Sequence, residues 1–160
     1  MNTNKSFQVR KAAQSEKHFV YQLEQTYWSE YGSKIWGEWQ DEQFEKVWAK
    51  SGYEIVLLDG VPVGLFRVTR QDSSLYINAI HVIAAHRNVG IGTWIFGNIE
   101  ARAKLLQLSV VKLRVFHTNP AKRLYLPHGF QNVLVEKHWA FMEKTFFGET
   151  IRNFSQPTFS

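Results

Sequence analysis

The sequence has no cysteine. That excludes disulfides, thiolate metal sites and a cysteine acyl-enzyme, and it agrees with a reducing cytosol. Proline is scarce, at four residues, and no Pro/Gly/Ser-rich linker or internal repeat divides the chain. One domain over residues 1–147 is therefore expected, with the aperiodic residues 148–160 as a C-terminal tail. No apolar run approaches the ~18 residues of a spanning helix, and MNTNKSFQVRK lacks the apolar stretch of a leader peptide. The expectation is a cytoplasmic protein with no membrane partner. Runs of like charge are missing too. The net charge is +5 and the pI near 9.5, but no five basic residues stand together, so a nucleic-acid footprint is not written here. The same positive field would draw in a polyanionic small molecule. No two histidines stand four apart with a carboxylate, so no metal site is expected.

Aromatics are plentiful instead, at 15% of the chain with six Trp. Phe19, Val20, Leu23, Tyr27 and Tyr31 recur at spacings of three and four, which predicts an amphipathic helix over 14–31 ended by Gly32. A second helix is predicted from Asp41, carrying Phe44, Val47 and Trp48 on one side. Phe7–Arg10 is a short alternating run that reads as a first strand. The period then changes: 53–58 and 61–70, joined by Asp59-Gly60, read as a β-hairpin, and 74–83 as a third strand. Helical spacing returns over Ile91–Leu106, then a strand at 110–116, a short helix at 119–126, and strands near 130–136 and 138–144. A strand, helix and strand in succession predict a right-handed crossover that pairs 74–83 with 110–116 in parallel. The expected fold class is α/β, with a mixed, mostly antiparallel sheet and flanking helices.

Chemistry is concentrated between that third strand and the helix after it. Arg87-Asn88-Val89-Gly90-Ile91-Gly92-Thr93 sets two glycines one residue apart at a helix start, where backbone N–H groups can approach an anion with no Cβ in the way. The helix dipole, the Arg87 cation and the Thr93 hydroxyl would all favour a diphosphate. A plain strand-to-helix turn is the competing reading for a GxG alone. There is neither the GK[ST] of a P-loop nor the GxGxxG of a dinucleotide fold.

RxxGxG after a strand resembles the acetyl-CoA motif of the GNAT superfamily of N-acetyltransferases. Asn119-Pro120-Ala121-Lys122-Arg123-Leu124-Tyr125 with Gly129-Phe130 is similar to the family's NxxAxxLYxxxGF segment. The resemblance covers residues 53–144 well and the first fifty loosely. It implies a cofactor, acetyl-CoA, lying where strands 74–83 and 110–116 splay apart. The phosphates would meet Arg87, Asn88, Val89, Gly90, Ile91, Gly92 and Thr93, and the pantetheine arm would meet the backbone of Ile80, His81 and Val82. Asn119 would bond the pantetheine, Lys122 would reach a phosphate, and Tyr125 would protonate the leaving thiolate. Core packing is the other reading of Tyr125, and a solvated charge that of Lys122.

The resemblance also implies a base for the amine, but the strand Leu75-Tyr76-Ile77-Asn78-Ala79-Ile80-His81-Val82 holds no carboxylate. Alternation puts Tyr76, Asn78 and Ile80 on one face and Ile77, Ala79 and His81 on the other. His81 can titrate near neutrality, while Asn78 can only orient a water or an acceptor; His117 and His138 are further candidates, and the identity of the base is left open. Tyr27, Tyr31, Trp36 and Trp39, with Tyr76, are the candidate acceptor wall, and Glu24, Glu30 and Glu38 supply counter-charge for a cationic amine. The function implied is direct acetyl transfer to the primary amine of a small molecule. A protein or peptide amine, or an acyl-CoA sensor that lacks a base, are the alternatives. A homodimer is left open.

Overall fold

The computed structural model describes residues 6–87 and 89–146; the expected tail at 148–160 and Asn88 lie outside them. Two compact units are formed, one from the chain up to Thr69 with Ile77–Gly97, the other from Arg70–Tyr76 with the chain from Asn98 onward. In the first unit the strand order is β1 (Phe7–Lys11), β2 (Tyr53–Leu58), β3 (Val61–Gln71), β4 (Ser74–Val82). In the second it runs from β4 through β5 (Val110–Phe116) and β7 (Trp139–Thr145) to β6 (Gln131–Val135). β4 and β5 are parallel, while β1·β2, β2·β3, β5·β7 and β6·β7 are antiparallel. The expected mixed α/β fold is the one observed.

The hairpin turn is where the sequence placed it. Asp59 and Gly60 both take positive φ, 51° and 83°, the pair of left-handed residues that matches strand twist in a two-residue hairpin. Register then assigns the faces. Tyr53 pairs with Arg67 and Ile55 with Leu65, so Tyr53, Ile55, Leu57, Leu65 and Ala79 form one buried surface, filled by Val20 of α1 (Lys17–Tyr27) and Phe44 of α3 (Asp41–Ala49). Each Val, Leu, Ile or Phe among them contributes about 1.5–3 kcal/mol by leaving water. The opposite face carries Phe7 and Val9, paired with Leu58 and Val56. There Trp94 of α4 (Ile91–Leu105) stacks on Phe7, centroids 5.0 Å apart.

The N-terminal helix departs from its predicted end. α1 does not stop at Gly32 but passes through a π-helical turn, Trp28–Gly32, into α2 (Ser33–Trp36). Gly32 has φ of −95°, an ordinary helical value, and its lack of a side chain serves space instead: a Cβ there would stand 3.2 Å from the Trp28 ring. Gly37 is the stop, with φ +88° and its N–H bonded to Ser33 O at 2.9 Å. Helical spacing could not separate a glycine that makes room from one that turns the chain.

In the second unit Val111, Leu113 and Val115 of β5 lie opposite Lys144, Met142 and Ala140 of β7. Ile99 and Ala103 of α4 are buried in the same unit, and Glu100 pairs with Lys144. The predicted helix 119–126 shortens to α5, Lys122–Tyr125. Gly129 ends that turn with φ +94°, while Phe130 N–H reaches back to Tyr125 O at 3.0 Å and its ring meets the Tyr125 ring edge-on at 5.8 Å. This left-handed cap with an apolar contact across it explains the Gly-Phe pair physically.

Candidate active site

The glycine bend is open. After β4 a 3-10 turn, Ala84–His86, leads to Arg87, and Gly90 takes φ +87° before α4 begins. Among the described residues, apart from the chain neighbours and the helix's own backbone, no atom lies within 4 Å of a Cβ built at Gly90 or at Gly92, so neither glycine is explained by crowding. The first helical bond is Trp94 N–H to Gly90 O at 3.0 Å; the amides of Ile91 and Gly92 precede it and are not used by the helix. Ile91 is buried and anchors the helix start. Arg87 is exposed and tied by its Nε to Val82 O at 3.2 Å, which leaves its two terminal amino groups outside that bond. An uncovered helix N-terminus of fifteen residues with a tethered cation fits a diphosphate.

On the helix-covered face of β4 the structure supplies what the strand lacks. His81 Nε2 meets Glu24 Oε1 of α1, and Tyr53 Oη donates to Glu24 Oε2 at 2.6 Å. Burial works to raise the Glu24 carboxyl. The hydrogen bond and charge of His81, the Tyr53 hydroxyl and the Arg67 cation outweigh it and hold the group below its ordinary value. Tyr53 is driven up in turn, by burial first and then by the Glu24 charge. From the sequence Glu24 was read only as counter-charge for the acceptor, not as a partner of His81, and Tyr53 and Arg67 were not singled out. A signal was available: Glu24, Tyr27 and Tyr31 recur at three and four, so one helical face carries a carboxylate beside two phenols.

The predicted acceptor wall divides. Tyr27 packs on His81 with centroids 4.8 Å apart and on Tyr31 at 4.9 Å. The Tyr31 hydroxyl is raised by burial first and then by Glu30, with Arg87 acting against them, so Tyr31 lies within the field of the phosphate-loop cation. Trp36 and Trp39 belong to another group. Trp36 lies against Trp28 at 5.4 Å and is 40% exposed. Trp39 packs on the Val20–Phe44 core and donates from Nε1 to Asp41 Oδ1 at 2.8 Å. Of the five aromatics expected in one wall, Tyr27 and Tyr31 pack together beside His81, Trp36 packs on Trp28 and Trp39 on the Val20–Phe44 core.

Strand alternation held along β4. Ala79 belongs to the helix-covered core with His81 beside it, and Asn78 is exposed with its amide donating to Thr69 Oγ1 at 2.9 Å. Tyr76, Ile80 and Val82 are half-buried. By that alternation Asn78 and His81 point to opposite faces of β4.

In the second unit Tyr125 is 4% exposed. Asn119 Oδ1 accepts the Ala121 N–H at 2.9 Å and shapes the turn into α5. Lys122 Nζ donates to His117 Nδ1 at 2.8 Å, and His117 Nε2 donates to Glu136 O at the same distance. The lysine is therefore tethered by its ammonium rather than simply solvated.

Among the described residues no group of three or more His, Asp or Glu is placed to hold a metal, and no helix is long and apolar enough to cross a membrane. No curated protein matches the sequence. Solved structures match over 88% of the chain. PaiA N-acetyltransferase from Thermoplasma acidophilum, in complex with coenzyme A, is 14% identical, 99% covered, TM-score 0.68. The ribosomal-protein-S18-alanine N-acetyltransferase from Escherichia coli is 11% identical, 94% covered, TM-score 0.66. Naa50 from Arabidopsis thaliana, in complex with the bisubstrate analogue CoA-Ac-MVNAL, is 16% identical, 98% covered, TM-score 0.63. At these identities the likeness shows the fold. The model of the acetyltransferase (GNAT) family matches residues 17–130, which takes in the glycine bend, the Asn119–Tyr125 segment and Glu24, and the chain belongs to that family of acetyl-CoA-dependent acetyltransferases.

Proposed function

We propose that the chain moves the acetyl group of acetyl-CoA directly to the primary amine of a small molecule. The observation that carries this is the open Gly90–Gly92 bend at the start of α4, with Arg87 beside it. Acetyl-CoA brings an acyl group activated as a thioester. The amine nitrogen bonds to that carbonyl carbon as the carbon–sulfur bond breaks, sulfur leaves with the bonding pair, and the nitrogen gives up a proton. His81 takes that proton, and Tyr125 returns one to the thiolate. Backbone amides of β4 near Ile80–Val82 stabilise the developing oxyanion, an effect worth about 3 kcal/mol in other acyl transfers. Tyr27 and Tyr31 present aromatic faces to the acceptor.

The sensor reading loses its main support, which was a strand without a carboxylate. Glu24 brings one to His81 from α1. The test is thiol release from acetyl-CoA against a panel of small amines and short peptides. The expected result is turnover with at least one small amine; release with peptides alone would move the assignment to a peptide acceptor, and release with none would return the sensor.

A further inference from the structure

Glu24 and His81 stand 57 residues apart in the chain and meet in the first unit. The groups that face this pair come from three elements. Tyr27 of α1 lies over the imidazole at 4.8 Å. Tyr53 of β2 bonds the second carboxylate oxygen at 2.6 Å. Arg67 of β3, buried and held by Ser51 O at 3.0 Å, adds positive charge. The His81 side chain is 8% exposed, so few ring orientations are open to it.

An ionised carboxylate only accepts hydrogen bonds. The ring nitrogen that meets Glu24 is Nε2, and it must therefore carry hydrogen. A neutral imidazole has one N–H, which leaves Nδ1 bare. Tyr53 supplies the remaining constraint by fixing the carboxylate, so that Oε1 cannot swing away from the ring.

We propose that Glu24 is a positioning residue for acetyl transfer: clamped by Tyr53, it locks His81 with the proton on Nε2 and presents Nδ1 as the nitrogen that takes the acceptor's proton. This rests on the reading of His81 as the base. When the amine nitrogen bonds to the acetyl carbon and sulfur departs with its electron pair, the proton passes to Nδ1, and the imidazolium so formed already faces a carboxylate.

The test is the ring-nitrogen NMR spectrum of His81 in the full chain without added acceptor, assigned by the signals lost in His81→Asn. The expected result at a pH where the ring is neutral is one tautomer, Nε2 protonated and Nδ1 bare, in the unchanged protein. Glu24→Leu should give a mixture of tautomers. Glu24→Gln, of nearly equal size, is the second variant should the first not fold; its amide can accept or donate, so the proton position is again no longer imposed. A proton on Nδ1 in the unchanged protein, or a single retained tautomer in both variants, overturns the proposal. Turnover in Glu24→Gln should fall about 10- to 100-fold with the acetyl-CoA KM unchanged. Full turnover in His81→Asn with the tautomer result as expected would instead overturn the reading of His81 as base and leave the pairing intact.

Discussion

The carbonyl oxygen of His81 occupies the place where a side chain on Gly64 would begin: a Cβ built on that β3 glycine stands 2.5 Å from it. Two backbones meet at that point, so the crowding cannot be relieved by turning a side chain. Gly64→Ala should lower stability by about 1–3 kcal/mol, the range for overpacking a filled interior, and should displace β4 at His81. Gly97→Ala is the control, since nothing lies within 4 Å of its Cβ and alanine favours a helix by up to about 1 kcal/mol. Urea unfolding of both variants checks this; equal midpoints would show that β3 and β4 can separate without loss.

Gly90 has the reverse character, open space but a left-handed backbone, φ +87°. Gly90→Ala should cost about 1–2 kcal/mol of stability from the conformation alone and leave acetyl-CoA binding measurable. Gly90→Glu adds bulk and negative charge at the helix start and should abolish that binding in a folded protein. Calorimetry with acetyl-CoA separates the two, and unaltered affinity in Gly90→Glu would remove the bend from the cofactor site.

Trp36 and Trp39 should respond differently to truncation. Trp39→Ala opens a hole beside Val20 and Phe44, so a loss of about 3–5 kcal/mol is expected. Trp36→Ala removes a half-exposed ring and should leave the unfolding midpoint within about 1 kcal/mol. A change in acceptor KM is expected for Trp36 only; if thermal unfolding ranks them the other way, Trp39 is not the core residue of the two.

The Glu24 carboxyl sits below its ordinary value of 4.5 in the folded chain. Its contribution to stability is therefore fully present above that value and is lost as pH falls through the folded value. The unchanged protein should lose stability below about pH 4.5 more steeply than Glu24→Gln, in which this group no longer titrates. Thermal melts at pH 7 and in steps below 4.5 provide the comparison, and parallel curves would exclude the linkage.

Tyr125→Phe keeps the ring that meets Phe130, so stability should change by no more than about 1 kcal/mol. Turnover should fall while acetyl-CoA affinity holds. A rate equal to the unchanged protein's, with chemistry limiting, would leave Tyr125 a packing residue.

How much of this was written in the sequence differs by region. Period-two stretches bounded by turn residues are local signals, and β2, β3, β4, β5 and β7 lie within a residue or two of where they were read. Asp59-Gly60 and Gly129-Phe130 were legible because left-handed backbone narrows the choice of residue. Gly32 misled because a glycine needed for space beside Trp28 looks the same as one needed for a turn, and only the packed ring tells them apart.

By itself the sequence determined the order of elements, the glycine bend with its arginine, and the Asn119–Tyr125 segment, all properties of near neighbours along the chain. Tertiary structure alone decided that a carboxylate from α1 meets His81 of β4. A charge on α1 can serve a histidine on β4 only after Val20 and Phe44 seat their helices on the sheet, and the burial that seats them is a sum over the whole core that no short stretch records.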